Sequence, residues 1–399
     1  MMPMRNVLKI GLAMLLLGAN AQAQNYEEAK VPAYTLPAVL QKSDGTFVRN
    51  IATWEKERRP EILMLFEDNV YGQMPEAYDS IQYTLTNEAP DAMQGKAHLK
   101  EIEIAVWRNN KPVRIPLVLF IPNKARNPVP AFLFINNRDQ SNTDPTRATK
   151  SDFWPAEKVV DSGYAIAAFH VSDAAPDSKE TYQEGVLQLY PEQLKAENGM
   201  RAIGAWAWAA SRAMDYLQQD KEIDAGKVAV VGHSRGGKAA LWAGAQDQRF
   251  ALVFSNCSGN TGAALSRRKF GETVKKINDT FPHWFTDSYK QYNDNEAALP
   301  VDQHMLVALI APRPVYVTNA SEDLWADPKG TYLSLVHAQK AYALYSKDPK
   351  LSPGPPAIDS PILHSYMGYH NRKGKHDLTS YDWQNFILFA NYHYQNKDR

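Results

Sequence analysis

The clearest chemistry in the sequence lies in five residues, Gly232-His233-Ser234-Arg235-Gly236. They make a G-x-S-x-G pattern between the apolar run Val228-Ala229-Val230-Val231 and a segment that continues through Gly237 and Lys238 into an alanine-rich stretch. The run is too short for a helix and rich in β-branched residues, as in a strand buried on both faces. A strand that turns sharply into a helix at such a serine is a nucleophile elbow, with the Oγ raised above a sheet. Backbone N–H groups of the serine and its neighbour at the helix N-terminus suit a developing oxyanion. The chemistry implied is nucleophilic acyl transfer.

An activated serine needs a base within hydrogen-bond reach and an acid that fixes the tautomer of that base, in the chain order serine, acid, histidine. After the apolar run Pro314 to Thr318 the sequence offers Glu322, Asp323 and Asp327. Asp323 is favoured because a loop residue a few positions past a strand can turn inward. Asp327, before Pro328, reads as a helix-start residue. Glu322 and Asp327 stay open as alternatives. For the base, His376 in Gly374-Lys375-His376-Asp377 precedes a C-terminal helix at 380–394, with His370 as competitor. His233 reads as packing or pocket wall, and His283 and His304 as loop or core residues.

These groups must be held by a sheet. Residues 99–107 and 113–121 suggest an antiparallel hairpin at a sheet edge, turned at Asn109-Asn110. Further strands are expected at 130–136, 164–170, 251–255, 314–318 and 362–367, with helices at 153–162 and 201–219. Trp206 and Trp208 on the latter read as packing. The alternation predicts an α/β-hydrolase fold: a mostly parallel central sheet with helices on both faces, a three-layer arrangement. Residues 24–399 read as one such domain with an N-terminal cover over about 24–95, including a helical piece at 53–69 interrupted by Pro60. No internal repeat or charge block is present.

Composition narrows the functional class. In 399 residues, 44 Lys plus Arg balance 44 Asp plus Glu, so no global field draws the protein to nucleic acid or anionic lipid. The first residues, with Arg5 and Lys9 before a short apolar run and Ala21-Gln22-Ala23, read as a signal peptide over 1–23 and too short a span for stable membrane insertion. Export to a Gram-negative periplasm or beyond is the expectation. The single cysteine, Cys257, allows no internal disulfide and reads as a small buried hydrophobe.

The segments GHSRGGKAAL, GAWAWAASRAMDYL, LPVDQHMLVALIAPRPVYV and GKHDLTSYDW give the chain from about Trp154 onward a resemblance to the glucuronoyl esterases. These carbohydrate esterases cleave esters between lignin alcohols and the glucuronic acid side groups of xylan. The resemblance implies that Arg235 helps hold the oxyanion, that Lys238 binds sugar hydroxyls and that Trp325 lines the sugar pocket. It implies no metal or cofactor. Many such esterases carry a glutamate acid in a segment like SNESG, where this chain has Cys257 in SNCSG. A thiol cannot replace that carboxylate, and members whose acid follows the later strand support Asp323. The expectation is an exported monomeric serine esterase acting on (4-O-methyl-)glucuronate esters of glucuronoxylan. The alternatives are an acetyl-xylan, feruloyl or other carboxylesterase, and a carbohydrate-binding homologue with a broken triad.

Overall fold

The computed structural model describes residues 24–125 and 128–395. The expected signal peptide lies outside the described residues. No helix among them is long and apolar enough to cross a membrane.

Among the described residues nine strands form one sheet: β1 (Ser80–Asp91), β2 (Ala97–Arg108), β3 (Lys111–Pro122), β4 (Val129–Asn136), β5 (Ala165–His170), β6 (Ile223–His233), β7 (Leu252–Asn256), β8 (Val315–Ala320) and β9 (Met367–Arg372). Their order is β1-β2-β3-β5-β4-β6-β7-β8-β9. The β1–β2, β2–β3 and β3–β5 pairs are antiparallel, and the rest of the sheet is parallel. Asn109 and Asn110 turn the β2–β3 hairpin with φ of 52° and 60°, the left-handed pair of a tight hairpin that asparagine tolerates.

Strand periodicity divides the apolar residues between two cores. On β4, Ala131, Leu133 and Ile135 face one core while Phe132 and Phe134 face the other. The first core packs under the helices Ala202–Leu217, Arg235–Gln246, Gln303–Ala308 and Pro328–Leu344, and the second under Ala156–Asp161 and Ser380–Gln395. Helices therefore cover both faces of the sheet. Trp206 and Trp208 are fully buried and donate their ring N–H groups to Ala175 O and Pro75 O.

Three features depart from the sequence reading. The hairpin does not form the sheet edge, because β1 pairs outside β2. The helical piece near Pro60 is not interrupted: helical turns run through residues 51–71. Just ahead of the proline the turn widens, so that Arg59 N–H reaches Trp54 O, which spaces the chain around the pyrrolidine ring. The last strand begins at Met367 rather than Ile362, and His370 lies inside it.

Buried polar contacts join the first fifty described residues to this frame. Arg58 donates to Val39 O and Ala38 O, Arg59 reaches Leu309 O and Ala245 O, and His304 Nε2 donates to Pro37 O at 2.9 Å. Burial pushes the His304 imidazole down to about 4. Because the unfolded chain binds that proton more readily, the stability is fully present above about pH 6.5 and is lost as pH falls towards 4, by up to about 3 kcal/mol. The melting temperature should therefore drop across that window, and His304→Gln, which keeps a donor but cannot titrate, should flatten the drop. An unchanged acid profile in the variant would contradict this.

Candidate active site

Four parallel strands deliver their following residues to one rim of the sheet: Ser234 after β6, Cys257 after β7, Asp323 after β8 and His376 after β9. Outside the carboxyl ends of the strands is where ligands gather in open α/β sheets. Ser234, Arg235, Lys238, Cys257, Glu272, Asp323, Trp325 and His376 all line one cleft of about 330 Å³.

The elbow is built by close approach. Ser234 has φ 54° and ψ −125°, a strained conformation for a non-glycine residue. A Cβ at Gly232 would come within 2.0 Å of Gly236 O, so only glycine fits before the turn. Ser234 N–H donates to Asn256 O at 2.8 Å. That corrects the expectation that it could serve an oxyanion; the Arg235 N–H stands in the first turn of the helix, which has no partners within the helix.

His376 Nδ1 meets Asp323 Oδ2 at 2.6 Å, which leaves Nε2 as the ring nitrogen for a serine. Asp323 is 6% exposed, whereas Glu322 is exposed and makes its backbone contact to Gly374 O. Asp327 caps the helix Pro328–Leu344 through Gly330 N–H and pairs with Arg268. Of the three carboxylates only Asp323 contacts the histidine.

The loop holding His376 is shaped from below. Arg372 donates to Lys373 O, Lys375 O and Asp377 O, while its Nε pairs with Asp382 at 3.0 Å. Asp382 also accepts from Thr379 and bonds His370 Nε2 at 2.8 Å. Burial alone would raise the Asp382 carboxyl; the His370 hydrogen bond and the Arg372 charge outweigh it and hold it below the usual range. His370 is fully buried in this network, with its Nε2 taken up by Asp382.

His233 packs its ring 4.6 Å from that of His376. Asn256 Nδ2 is committed to Thr318 Oγ1, so Asn256 Oδ1 accepts from His233 Nδ1, and Arg138 Nη2 lies 3.3 Å from His233 Nε2. Burial above all pushes His233 well below its ordinary value and keeps it neutral.

Arg235 ion-pairs through Nε with Asp177 and donates from Nη2 to Asn137 O. Asp177 also accepts from His283 and Trp284. Although burial raises its carboxyl, the His283 hydrogen bond and the Arg235 charge bring it below the usual range. Lys238 is 3% exposed, and its three donors reach Ser258 O, Asn260 O and Glu272 Oε2. It holds the cleft wall together, and a sugar hydroxyl would have to share those donors. Glu272, Phe281 and Trp284 also line the cleft and were not foreseen; they lie between elements, where no periodicity marks a residue.

A mostly parallel sheet with helices on both faces and a serine elbow at its rim define an α/β-hydrolase. A family model described as fungal glucuronyl esterase matches residues 104–346, more than half of the chain. A carbohydrate esterase from an unidentified prokaryotic organism is 40% identical over 410 residues, covering 94% of this chain and 93% of its own. The solved glucuronoyl esterase from Solibacter usitatus superposes with a TM-score of 0.85 at 37% identity, covering 92% of this chain and all of its own. A 4-O-methyl-glucuronoyl methylesterase of Schizophyllum commune is 26% identical over 84% of this chain and 81% of its own. The chain belongs to the glucuronoyl esterase family, and it is a carboxylic ester hydrolase.

Proposed function

We propose that the protein hydrolyses esters of (4-O-methyl-)glucuronic acid that link xylan side groups to lignin alcohols, through an acyl-enzyme on Ser234. The observation that carries this reading is the 2.6 Å contact of His376 with Asp323 in the cleft that Ser234 lines. Ser234 attacks the ester carbonyl as His376 takes its proton. Asp323 stabilises the imidazolium, which then protonates the departing alcohol. Water, activated by the same histidine, releases the uronic acid. The oxyanion is held by the Arg235 N–H and by the guanidinium, which Asp177 keeps beside the elbow.

Glu272 can accept from sugar hydroxyls while Lys238 balances its charge, and Trp325 offers a flat apolar wall to the pyranose. Polar groups built into that wall would be left unpaired by a small acetyl group. Benzyl glucuronate should therefore be hydrolysed with a kcat/KM at least about 10²-fold above that for benzyl acetate. Equal values would favour a general carboxylesterase. We further infer that the protein is exported, from the basic-apolar A-x-A pattern of its first residues.

Arg235→Ala should lower kcat by about 10²–10³ with little change in KM, since a donor to the developing charge is removed. Arg235→Lys should recover part of the loss. A rise in KM at unchanged kcat would place the arginine in ground-state binding instead.

A further inference from the structure

Cys257 has a position among the cleft residues that acyl transfer leaves unused. It follows β7 with φ 47° and is 2% exposed, and its Sγ has one weak contact, to Asp377 O at 3.9 Å. One ligand atom from each of Cys257, Asp323 and His376 lies within 4.8 Å of the other two. We propose that these three side chains form a capture site for a thiophilic divalent cation, Zn²⁺ or Cd²⁺, and that its occupancy switches the esterase off.

Thiolate, imidazole and carboxylate together make a borderline-soft donor set that suits four-coordinate Zn²⁺, with the cleft supplying water at the fourth position. Metal–ligand bonds of about 2.0–2.3 Å place tetrahedral ligands roughly 3.5 Å apart. Closing the site thus draws the sulfur in by at most about 1.3 Å and opens the His376–Asp323 contact by about 1 Å. The histidine can make that move: it sits in the loop after β9 with its side chain 37% exposed. Mg²⁺ and Ca²⁺ demand six or more oxygens and find one carboxylate.

The exchange balances as one cation in and one proton out. The buried Cys257 thiol must give up its proton to solvent as the sulfur binds the cation. The imidazole stays neutral with its proton on the nitrogen that the metal does not use. A histidine lone pair and an Asp323 oxygen then belong to the metal, and Ser234 has no base.

The inhibition rests on the triad reading given above; the binding does not. The experiment titrates the chelator-treated full chain with CdCl₂, ZnSO₄ and MgCl₂, reading benzyl glucuronate hydrolysis beside the ultraviolet thiolate-to-cadmium charge-transfer band. Expected are one equivalent of Cd²⁺ at saturation, loss of hydrolysis in step with the band, recovery with EDTA and no response to Mg²⁺. Cys257→Ala and Cys257→Ser should each remove the band, keep metal-free hydrolysis and need at least about tenfold more Cd²⁺ for half-inhibition. Absence of the band in the parent, a band without inhibition, or inhibition of the variants at the same Cd²⁺ concentration as the parent would overturn the proposal. If no glucuronate ester is hydrolysed at all, the function reading fails and the band still decides whether the cation is captured.

Discussion

Ser234→Ala should fold as the parent does and lose about 10⁶-fold in kcat on benzyl glucuronate, the loss seen when the nucleophile of a serine triad is removed. That corresponds to about 8 kcal/mol of transition-state stabilisation. The cost to folding should be small, because the residue's structural bond is its backbone N–H to Asn256 O, which alanine keeps. The Arg235 N–H remains at the helix terminus, so a residue of catalysis over water should survive. Steady-state kinetics beside a thermal melt check both halves. A variant that keeps most of the parental rate would end the acyl-enzyme reading.

Asp323→Asn should cost about 10⁴ in kcat with little change in KM. An asparagine preserves the shape but cannot stabilise the imidazolium, and its amide can hold the ring in the wrong tautomer. The neighbouring carboxylates give internal controls. Glu322→Gln, exposed and away from the histidine, should be close to neutral. Asp327→Asn should lower stability instead, because Arg268 is buried against it with Glu28 as its other acid. If Asp327→Asn lost kcat while Asp323→Asn did not, the acid would have to be reassigned.

The elbow was legible because it needs a fixed spacing of glycines after a β-branched run, and that requirement survives any variation in the surroundings. The parallel strands were legible for a similar reason: strands buried on both faces leave continuous apolar runs. β1 was not, since its residues are largely exposed and Ser80 to Asp91 falls within the stretch read as an N-terminal cover. The last strand was placed five residues early because Ile362 to Met367 is the more apolar stretch. The true strand carries His370 and Arg372 at buried positions, made tolerable by Asp382 from the C-terminal helix, a partner that sequence spacing does not reveal. Glu272 and Asp177 were illegible on the same ground: each matters through a side chain far away in the chain, Lys238 for one and Arg235 for the other.

One guanidinium on β9 grips three carbonyl oxygens of the segment that presents His376. Main-chain oxygens are common to all amino acids, so positions 373 and 375 are free to drift in charge and size without disturbing the imidazole. Natural variation or library design can exploit those two sites to retune the rim of the cleft, while the anchor at 372 cannot be exchanged for a lysine, whose single nitrogen could not span the same fork.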